Sequence, residues 1–201
     1  VGGAHNDGLA MLLAMVGVAA LVVRRDYSAG ASLVASAAIK SSSLFVAPFA
    51  FVAALRESRA RRLIVGGLAA ALVIGVAGYL AFGWDWLHAF GLAGKNQRRT
   101  SHLSIPTTFA RLSGIDEGAV RVAALAIFGA AVIWLLAWTW RGADWIRAAA
   151  WAGTGLLLAS SWLLPWYLVW PLPLAAAARD RLLALVLLAL TAYQLGARIP
   201  L

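Results

Sequence analysis

The chain has 201 residues, of which 63% are hydrophobic and 12% charged, whereas a soluble domain carries about 25% charged residues. It contains no cysteine, which excludes a disulfide framework and a thiolate metal site. The net charge of +9 rests on arginines that lie in short clusters between apolar runs. This pattern indicates a membrane surface, and not a nucleic acid, as the partner of the basic residues.

Four arginine-rich loops set the expected topology. They cover residues 24–26, 56–62, 141–147 and 179–181. Because cytoplasmic loops of membrane proteins are enriched in Lys and Arg, all four are expected on the cytoplasmic side. The chain must then cross the bilayer an even number of times between each consecutive pair.

This parity divides the apolar runs into about eight membrane segments. Residues 29–39 and 44–55 are predicted to form a short helical hairpin with the sequence KSSS at its tip. An ascending helix to about Leu164 and a short descending helix after Pro165 make a second hairpin. The other segments are predicted at 8–23, 63–82, 118–140 and 182–198, with an external loop at 83–117. The expected fold class is all-α, a polytopic transmembrane helix bundle in which several segments fall short of the roughly 20 residues of a full span.

In this topology most other polar side chains lie on the external side, beginning with His5, Asn6 and Asp7. Asn6 or Asp7 suits the N-cap of a helix that starts near Gly8, because its side chain accepts a free backbone N–H. That role is purely structural. The adjacent imidazole favours a second one, in which Asp7 and His5 are candidate catalytic residues for proton transfer and Asn6 binds sugar hydroxyls.

Lys40 is the one lysine in the first 94 residues, and it lies at the tip of an apolar hairpin. A charge near hydrocarbon is costly and usually faces a cavity or a partner. One interpretation is that the side chain extends to the membrane interface. The other is a phosphate contact, assisted by the three serines that follow and by the N-terminal amides of the next helix.

In the loop at 83–117, Lys95, Arg98, Arg99 and His102 place cations on the unexpected side. Chance placement is one interpretation, because long loops follow the positive-inside tendency poorly. The other is a clamp for an anionic headgroup, since arginine binds phosphate in a bidentate manner.

The turn PWYLVWP contains Trp166, Tyr167 and Trp170. These rings suit an aromatic belt at the membrane interface, or they stack on sugar rings or line a lipid groove. His5, His88 and His102 lack the spacing of metal ligands, so neither a metal site nor a cofactor is expected.

Three stretches together carry a family resemblance: GAHNDGLAMLLAMVGVAALV, AAIKSSSLFVAPFAF and LPWYLVWPLPL. They resemble polytopic bacterial glycosyltransferases of the GT-C superfamily, in particular the actinobacterial polyprenol-phosphomannose-dependent α-1,6-mannosyltransferases. The resemblance implies an inverting transferase of the bacterial plasma membrane, surrounded by membrane lipids and without a nucleic-acid partner. It would move mannose from a polyprenyl-phosphate-sugar donor to a lipid-linked glycan acceptor on the external face.

The resemblance also bears on the site. The family's usual catalytic carboxylate lies in the first external loop, so the chain is expected to be the C-terminal part of a single polytopic domain, with the main base upstream of Val1. Asp7 is then a second polar site. A lysine between two short helices resembles a lipid-phosphate contact in this fold, and it corresponds to Lys40.

The alternative class is a transporter or flippase component for a lipid-linked or anionic substrate. Such proteins place charges or broken helices near the bilayer midplane and often contain inverted repeats. The sequence shows neither, and its polar residues gather at one face. A purely structural membrane subunit is a third possibility, but a scaffold would not require Lys40 or the basic external loop.

Overall fold

The computed structural model describes residues 4–87 and 100–196, with the backbone alone for Ala4 and His5. These residues form helices joined by turns, without a β-strand among them, so the all-α class is confirmed. The α-helices are α1 (Ala4–Val22), α2 (Asp26–Ile39), α3 (Ala47–Arg56), α4 (Ala60–Phe82), α5 (Ile105–Ser113), α6 (Glu117–Trp140), α7 (Trp145–Ala159), α8 (Leu172–Ala178) and α9 (Arg181–Gly196). Three 3₁₀ segments lie at Ser41–Val46, Asp85–Leu87 and Pro165–Val169.

Two of the described helices, α4 and α6, are long and apolar enough to span a bilayer. They contain 23 and 24 residues, and each has a mean hydropathy of 2.3. They match the predicted segments 63–82 and 118–140. The count of eight membrane segments is not confirmed, because the other described helices fall short of this test.

The arginine-rich turns meet at one end of the bundle, here named the arginine end. Arg59 pairs with the buried carboxylate of Asp26, which joins the first turn to the second. The Arg56 guanidinium lies beside Gly142 in the third turn. Arg147 Nε donates to Asp180 Oδ2 at 2.6 Å, which joins the third turn to the fourth. The four arginine-rich turns therefore lie at the same end of the bundle, as an even number of crossings between them requires.

The opposite end, here named the polar end, holds the start of α1, the tip at Lys40 and the turn at 160–170. Part of the predicted external loop also packs there. Ser101 N donates to Ser161 O at 2.8 Å, and Gln194 Nε2 donates to Leu103 O at 2.9 Å. These hydrogen bonds join the described part of the predicted loop to the turn at 160–170 and to α9.

The first hairpin forms as predicted, but its arms diverge. The chain leaves the arginine end in α2, turns at Lys40, and returns through the 3₁₀ segment and α3. Helix α2 packs mainly against α1 and α4, whereas α3 packs against α6 and α7. The tip is consequently held between the two halves of the bundle.

Glycines set the close approach of α2 to α4. A Cβ atom at Gly30 would overlap the carbonyl oxygen of Leu63, and one at Gly66 would overlap that of Tyr27. The obstructing atoms belong to the backbone and cannot rotate away. Small residues at such contacts let membrane helices pack by direct van der Waals contact.

The core lies where α1, α3, α7 and α9 converge. Its fully buried members include Phe49, Leu157, Leu163 and Leu187. Helix α7 also buries a run of small residues, Ala148, Ala149 and Ala150, at 0% exposure. This packing fixes the position of α7 and therefore that of the turn at 160–170, which follows it at the polar end.

Two predictions on the later elements are wrong. The 83–117 stretch is more than a loop, because Ser104 Oγ accepts the Thr107 N–H at 3.3 Å and starts α5, which Gly114 ends at φ 72. The helix expected to reach Leu164 ends at Ala159. The descending segment after Pro165 is a 3₁₀ turn followed by the seven residues of α8.

Candidate functional site

Distant parts of the chain meet at the polar end around the carboxylate of Asp7. Asp7 lies in the first turn of α1 and is only 1% exposed. Its Oδ1 atom accepts the indole N–H of Trp170 at 2.6 Å, across 163 positions of sequence. The same oxygen accepts a hydrogen bond from the ammonium group of Lys40. An oxygen shared by a cation and an indole N–H belongs to a preformed polar site.

Two aromatic rings complete the surroundings of Lys40. Its Nζ lies 4.8 Å from the ring centroid of Tyr167 and 5.1 Å from that of Trp170. The two rings stack on each other at 4.3 Å with an interplanar angle of 22°. Cation–π attraction therefore adds to the ion pair. Asp7, Lys40, Tyr167 and Trp170 are named the Asp7–Lys40 cluster below.

The hairpin tip is tied to α1 by hydroxyl groups. Ser36 Oγ donates to Ala10 O at 2.6 Å and lies 2.7 Å from Ser43 Oγ. Ser43 Oγ is in turn 2.9 Å from the carbonyl oxygen of Lys40. These contacts fix the backbone of Lys40, which is extended at φ −152° and ψ 114°. The lysine is therefore positioned by its backbone as well as by its partners.

The cluster is asymmetric in its exposure and its hydrogen bonding. The Lys40 side chain is 26% exposed, whereas that of Asp7 is 1% exposed. The Oδ2 atom of Asp7 is buried, and no described residue donates to it. A buried carboxylate oxygen without a donor is uncommon, because it has lost its hydration without replacement. Within the cluster, Asp7 Oδ2 is thus a buried acceptor without a described donor, and the Lys40 ammonium lies nearer the surface.

An open apolar groove of about 360 Å³ begins beside the cluster. Its lining includes Gly8, next to Asp7, and the side of the 3₁₀ turn that carries Trp166 and Val169. Trp166 is 41% exposed and contacts the Tyr167 ring edge-on at 6.3 Å. A Cβ atom at Gly8 would meet nothing within 4 Å, so this position leaves the groove wide.

A comparison with protein families identifies the class of protein to which the chain belongs. The model of glycosyltransferase family 87 matches residues 1–164, a stretch that contains Asp7 and Lys40. The chain belongs to glycosyltransferase family 87. Neither a curated protein nor a solved structure matches it. The resemblance is thus confirmed as far as a GT-C-like family of membrane glycosyltransferases. The α-1,6-mannosyltransferase group stays a prediction.

In this family 87 chain, three of the predicted site residues come together: Asp7, Lys40 and Tyr167. Trp166 lines the adjacent groove. Asn6 is exposed, because neighbouring residues of a helix point about 100° apart. The prediction that Asn6 or Asp7 caps a helix starting near Gly8 is wrong. The helix already includes both, and the Asp7 carboxylate binds side chains of other segments.

The remaining predicted residues are not part of the cluster as the structure describes it. His102 is exposed, and its carbonyl oxygen accepts the hydroxyl of Thr108 at 3.1 Å. The side chain of His5, and Arg98 and Arg99 altogether, lie outside the described residues. Within the described part of the chain, no three His, Asp or Glu side chains group as metal ligands would.

The predicted site residues do not include Trp170, and its pairing with Asp7 depends on the tertiary fold. A tryptophan that is 7% exposed needs an acceptor for its indole N–H. Ser36 is also absent from the predicted site residues, because its role depends on the tertiary contact with α1.

Another buried carboxylate, Asp180, lies at the arginine end together with Asp26. Its Oδ2 accepts Arg147 Nε at 2.6 Å and Trp151 Nε1 at 3.0 Å, and its Oδ1 accepts the Leu183 N–H at 3.1 Å. Burial raises the pKa of Asp180, but these hydrogen bonds and the charge of Arg147 outweigh it and hold the pKa below its ordinary value. Both oxygens are therefore committed within the protein.

Proposed function

We propose that the chain provides the donor-phosphate site of a glycosyltransferase that uses a polyprenyl-phosphate sugar. The sugar is mannose if the resemblance extends that far, and the acceptor is a lipid-linked glycan on the external face of the bacterial plasma membrane. The observation that carries the proposal is the Lys40 ammonium, which Asp7 and two aromatic rings hold beside an apolar groove.

The charge change during transfer explains why a fixed cation is useful. The acceptor oxygen forms a bond to the anomeric carbon while the bond from that carbon to the phosphate oxygen breaks. The acceptor proton passes to a base, and the polyprenyl phosphate leaves with one additional negative charge. A preorganised ammonium group stabilises that developing charge more strongly than mobile water does. Lys40 is proposed to fill this role from the surface of the cluster.

The adjacent groove suits the lipid part of such a donor. Its lining is mostly apolar, and it begins at Gly8, one residue from the Asp7 carboxylate. A prenyl chain placed there would bring its phosphate to the end of the groove, near Lys40. The exposed face of Trp166 is proposed to contact the chain.

Asp7 is proposed as the positioning residue of Lys40, because its carboxylate is buried and accepts a hydrogen bond from the lysine ammonium. Its negative charge is already offset by the lysine, so a different carboxylate is proposed as the main base. His5, Asn6, Arg98, Arg99 and His102 remain proposed contacts for the sugar or for the anionic headgroup.

The test uses membranes that contain the full-length protein, radiolabelled polyprenyl-phosphate-mannose and an acceptor glycolipid. Lys40→Ala would leave the buried Asp7 carboxylate without a cation, which is strongly destabilising. Lys40→Gln, alone and combined with Asp7→Asn, separates loss of the cation from loss of folding. Both variants are expected to transfer label at least a hundredfold more slowly. Arg111→Gln removes an exposed cation of α5 and is the matched control.

Correctly inserted Lys40→Gln protein with full transfer would overturn the role of Lys40. Sealed vesicles address the transporter alternative, because a transferase lengthens the glycolipid without moving labelled donor across the membrane. Movement of donor lipid with no longer product would favour the transporter.

A further inference from the structure

A second groove, of about 400 Å³, opens between α8 and α9 on the side of the arginine end. Leu172, Ala176, Ala184 and Leu188 provide its apolar walls, and Arg179 and Arg181 lie at its end. The two alanines leave room that larger side chains would occupy. Leu188 is 62% exposed, so the groove is open along its length to the surroundings of the bundle.

The charge at the end of this groove is positive and is not neutralised within the described protein. Arg179 and Arg181 are both exposed, and neither forms an ion pair with a described residue. Asp180 lies between them, but its carboxylate is directed inward to Arg147, Trp151 and the Leu183 N–H. Asp180 also lines the groove, but its charge is paired with that of Arg147, so the two flanking arginines leave this end of the groove with a net positive charge.

An apolar groove that ends at two free guanidinium groups is complementary to one class of ligand. Arginine binds phosphate oxygens in a bidentate manner, and basic residues next to a membrane helix attract anionic lipids. We propose that one anionic phospholipid of the bilayer binds here, with its phosphate between Arg179 and Arg181 and an acyl chain along α8 and α9. Helix α8 is about 10 Å long at 1.5 Å per residue, so the groove covers the first part of that chain.

The proposed phosphate position of this site does not depend on the donor site, although Leu172 at the start of α8 lines both grooves. The donor site lies at the polar end, where the first groove begins at Gly8. The lipid site lies at the other end of α8, among the arginine-rich turns. A protein that binds the phospholipid but fails to transfer sugar would leave the lipid site intact.

Native mass spectrometry of the full-length protein in detergent tests the charge contribution. Dioleoyl phosphatidylglycerol is titrated against wild type, R179Q/R181Q and the control R61Q/R62Q. Arg61 and Arg62 are exposed at the arginine end in the first turn of α4, so the control removes the same charge outside the groove. The dissociation constant should rise about thirtyfold in R179Q/R181Q, since each basic residue contributes about 1 kcal/mol. Equal weakening in both double variants would overturn the proposal.

A second pair of variants tests the groove without changing charge. Ala184→Trp fills it, whereas Ala189→Trp places the same ring on an exposed position of α9 outside the lining. Phosphatidylglycerol binding should be lost in Ala184→Trp and retained in Ala189→Trp. Retention in both would contradict a lipid seated in the groove. Binding of dioleoyl phosphatidylcholine as tight as that of phosphatidylglycerol would contradict the anionic specificity.

Discussion

Asp7 and Asp180 are buried carboxylates at opposite ends of the bundle, and each binds a cation and an indole N–H through one oxygen. At Asp7 these donors are Lys40 and Trp170, and at Asp180 they are Arg147 and Trp151. The second oxygens differ. Asp180 Oδ1 accepts the Leu183 N–H and caps α9, whereas no described residue donates to Asp7 Oδ2.

The Asp180–Arg147 pair is a structural ion pair, whereas the Asp7–Lys40 pair belongs to a candidate ligand site. At Asp180 both carboxylate oxygens accept hydrogen bonds, and the pair links the third and fourth arginine-rich turns. At Asp7 the Oδ2 atom has no described donor. The Lys40 ammonium lies over two aromatic rings beside an apolar groove. Asp26 Oδ2, in the ion pair with Arg59 at the arginine end, also lacks a described donor. The stacked rings and the adjacent groove, and not the missing hydrogen bond alone, therefore distinguish the Asp7 pair.

The largest expected difference in sugar transfer is between variants of Lys40 and variants of Arg147. Lys40→Gln should slow sugar transfer at least a hundredfold, because developing phosphate charge loses its preorganised partner. Arg147→Gln should change transfer less than threefold while lowering thermal stability, because it leaves Asp180 without its cation. Radiolabel transfer and thermal unfolding of the same two preparations provide the measurement. Loss of transfer in both, in proportion to stability, would make the Asp7 pair structural as well.

The two indole groups should differ in the same direction by a smaller amount. Trp170→Phe removes a donor to Asp7 and should slow transfer about tenfold, because Lys40 is then less well placed. Trp151→Phe removes the equivalent donor to Asp180 and should lower the free energy of unfolding by about 1–2 kcal/mol with transfer unchanged. Steady-state transfer kinetics are measured alongside denaturant unfolding. Slower sugar transfer by Trp151→Phe would contradict the distinction between the Asp7 and Asp180 pairs.

The hairpin tip should show an effect smaller still. Ser43→Ala removes the hydroxyl that links the Lys40 carbonyl to Ser36, so kcat is expected to fall a few-fold while the KM of the acceptor is unchanged. Ser41→Ala alters an exposed serine in the same tip and is the matched control. Equal kcat values for the two variants would remove the hydroxyl link from the positioning of Lys40.

The smallest effect is the pH dependence at the arginine end. The folded pKa of Asp180 lies below its ordinary value of 3.8, so its ionised form stabilises the fold above that value. This contribution is lost as the pH falls through the folded pKa. The stability difference between wild type and Asp180→Asn should therefore be constant near neutral pH and shrink below about pH 4. Thermal unfolding across that range checks it, and a difference that grows on acidification would contradict the assignment.

The sequence predicted the organisation of the molecule better than its details. Arginine clusters and apolar runs depend on local composition, and they correctly placed the four turns at one end and the helices between them. Lys40 was conspicuous because a lone charge in an apolar hairpin needs a partner. Ser104, Pro106 and Gly114 are local signals for α5, which the prediction of an external loop at 83–117 does not include.

The contacts that make the site could not be predicted, because they join parts of the chain far apart in sequence. Trp170 and Asp7 are 163 positions apart, and Ser36 meets Ala10 only once α1 and α2 have packed. Propensity and periodicity carry no information about such tertiary choices. The early end of α7 at Ala159 is different, because two serines, Ser160 and Ser161, interrupt the apolar run there and Ser160 takes an extended backbone.

The central claim is that Lys40 contacts the phosphate of the donor, and binding of the leaving group tests it without any chemistry. Polyprenyl phosphate is titrated against the full-length wild type, Lys40→Gln and the control Arg111→Gln, with the dissociation constant as the readout. Binding should weaken at least tenfold in Lys40→Gln and stay unchanged in Arg111→Gln. Equal affinity in all three proteins would contradict a phosphate contact at Lys40 and return the Asp7–Lys40 pair to a structural role.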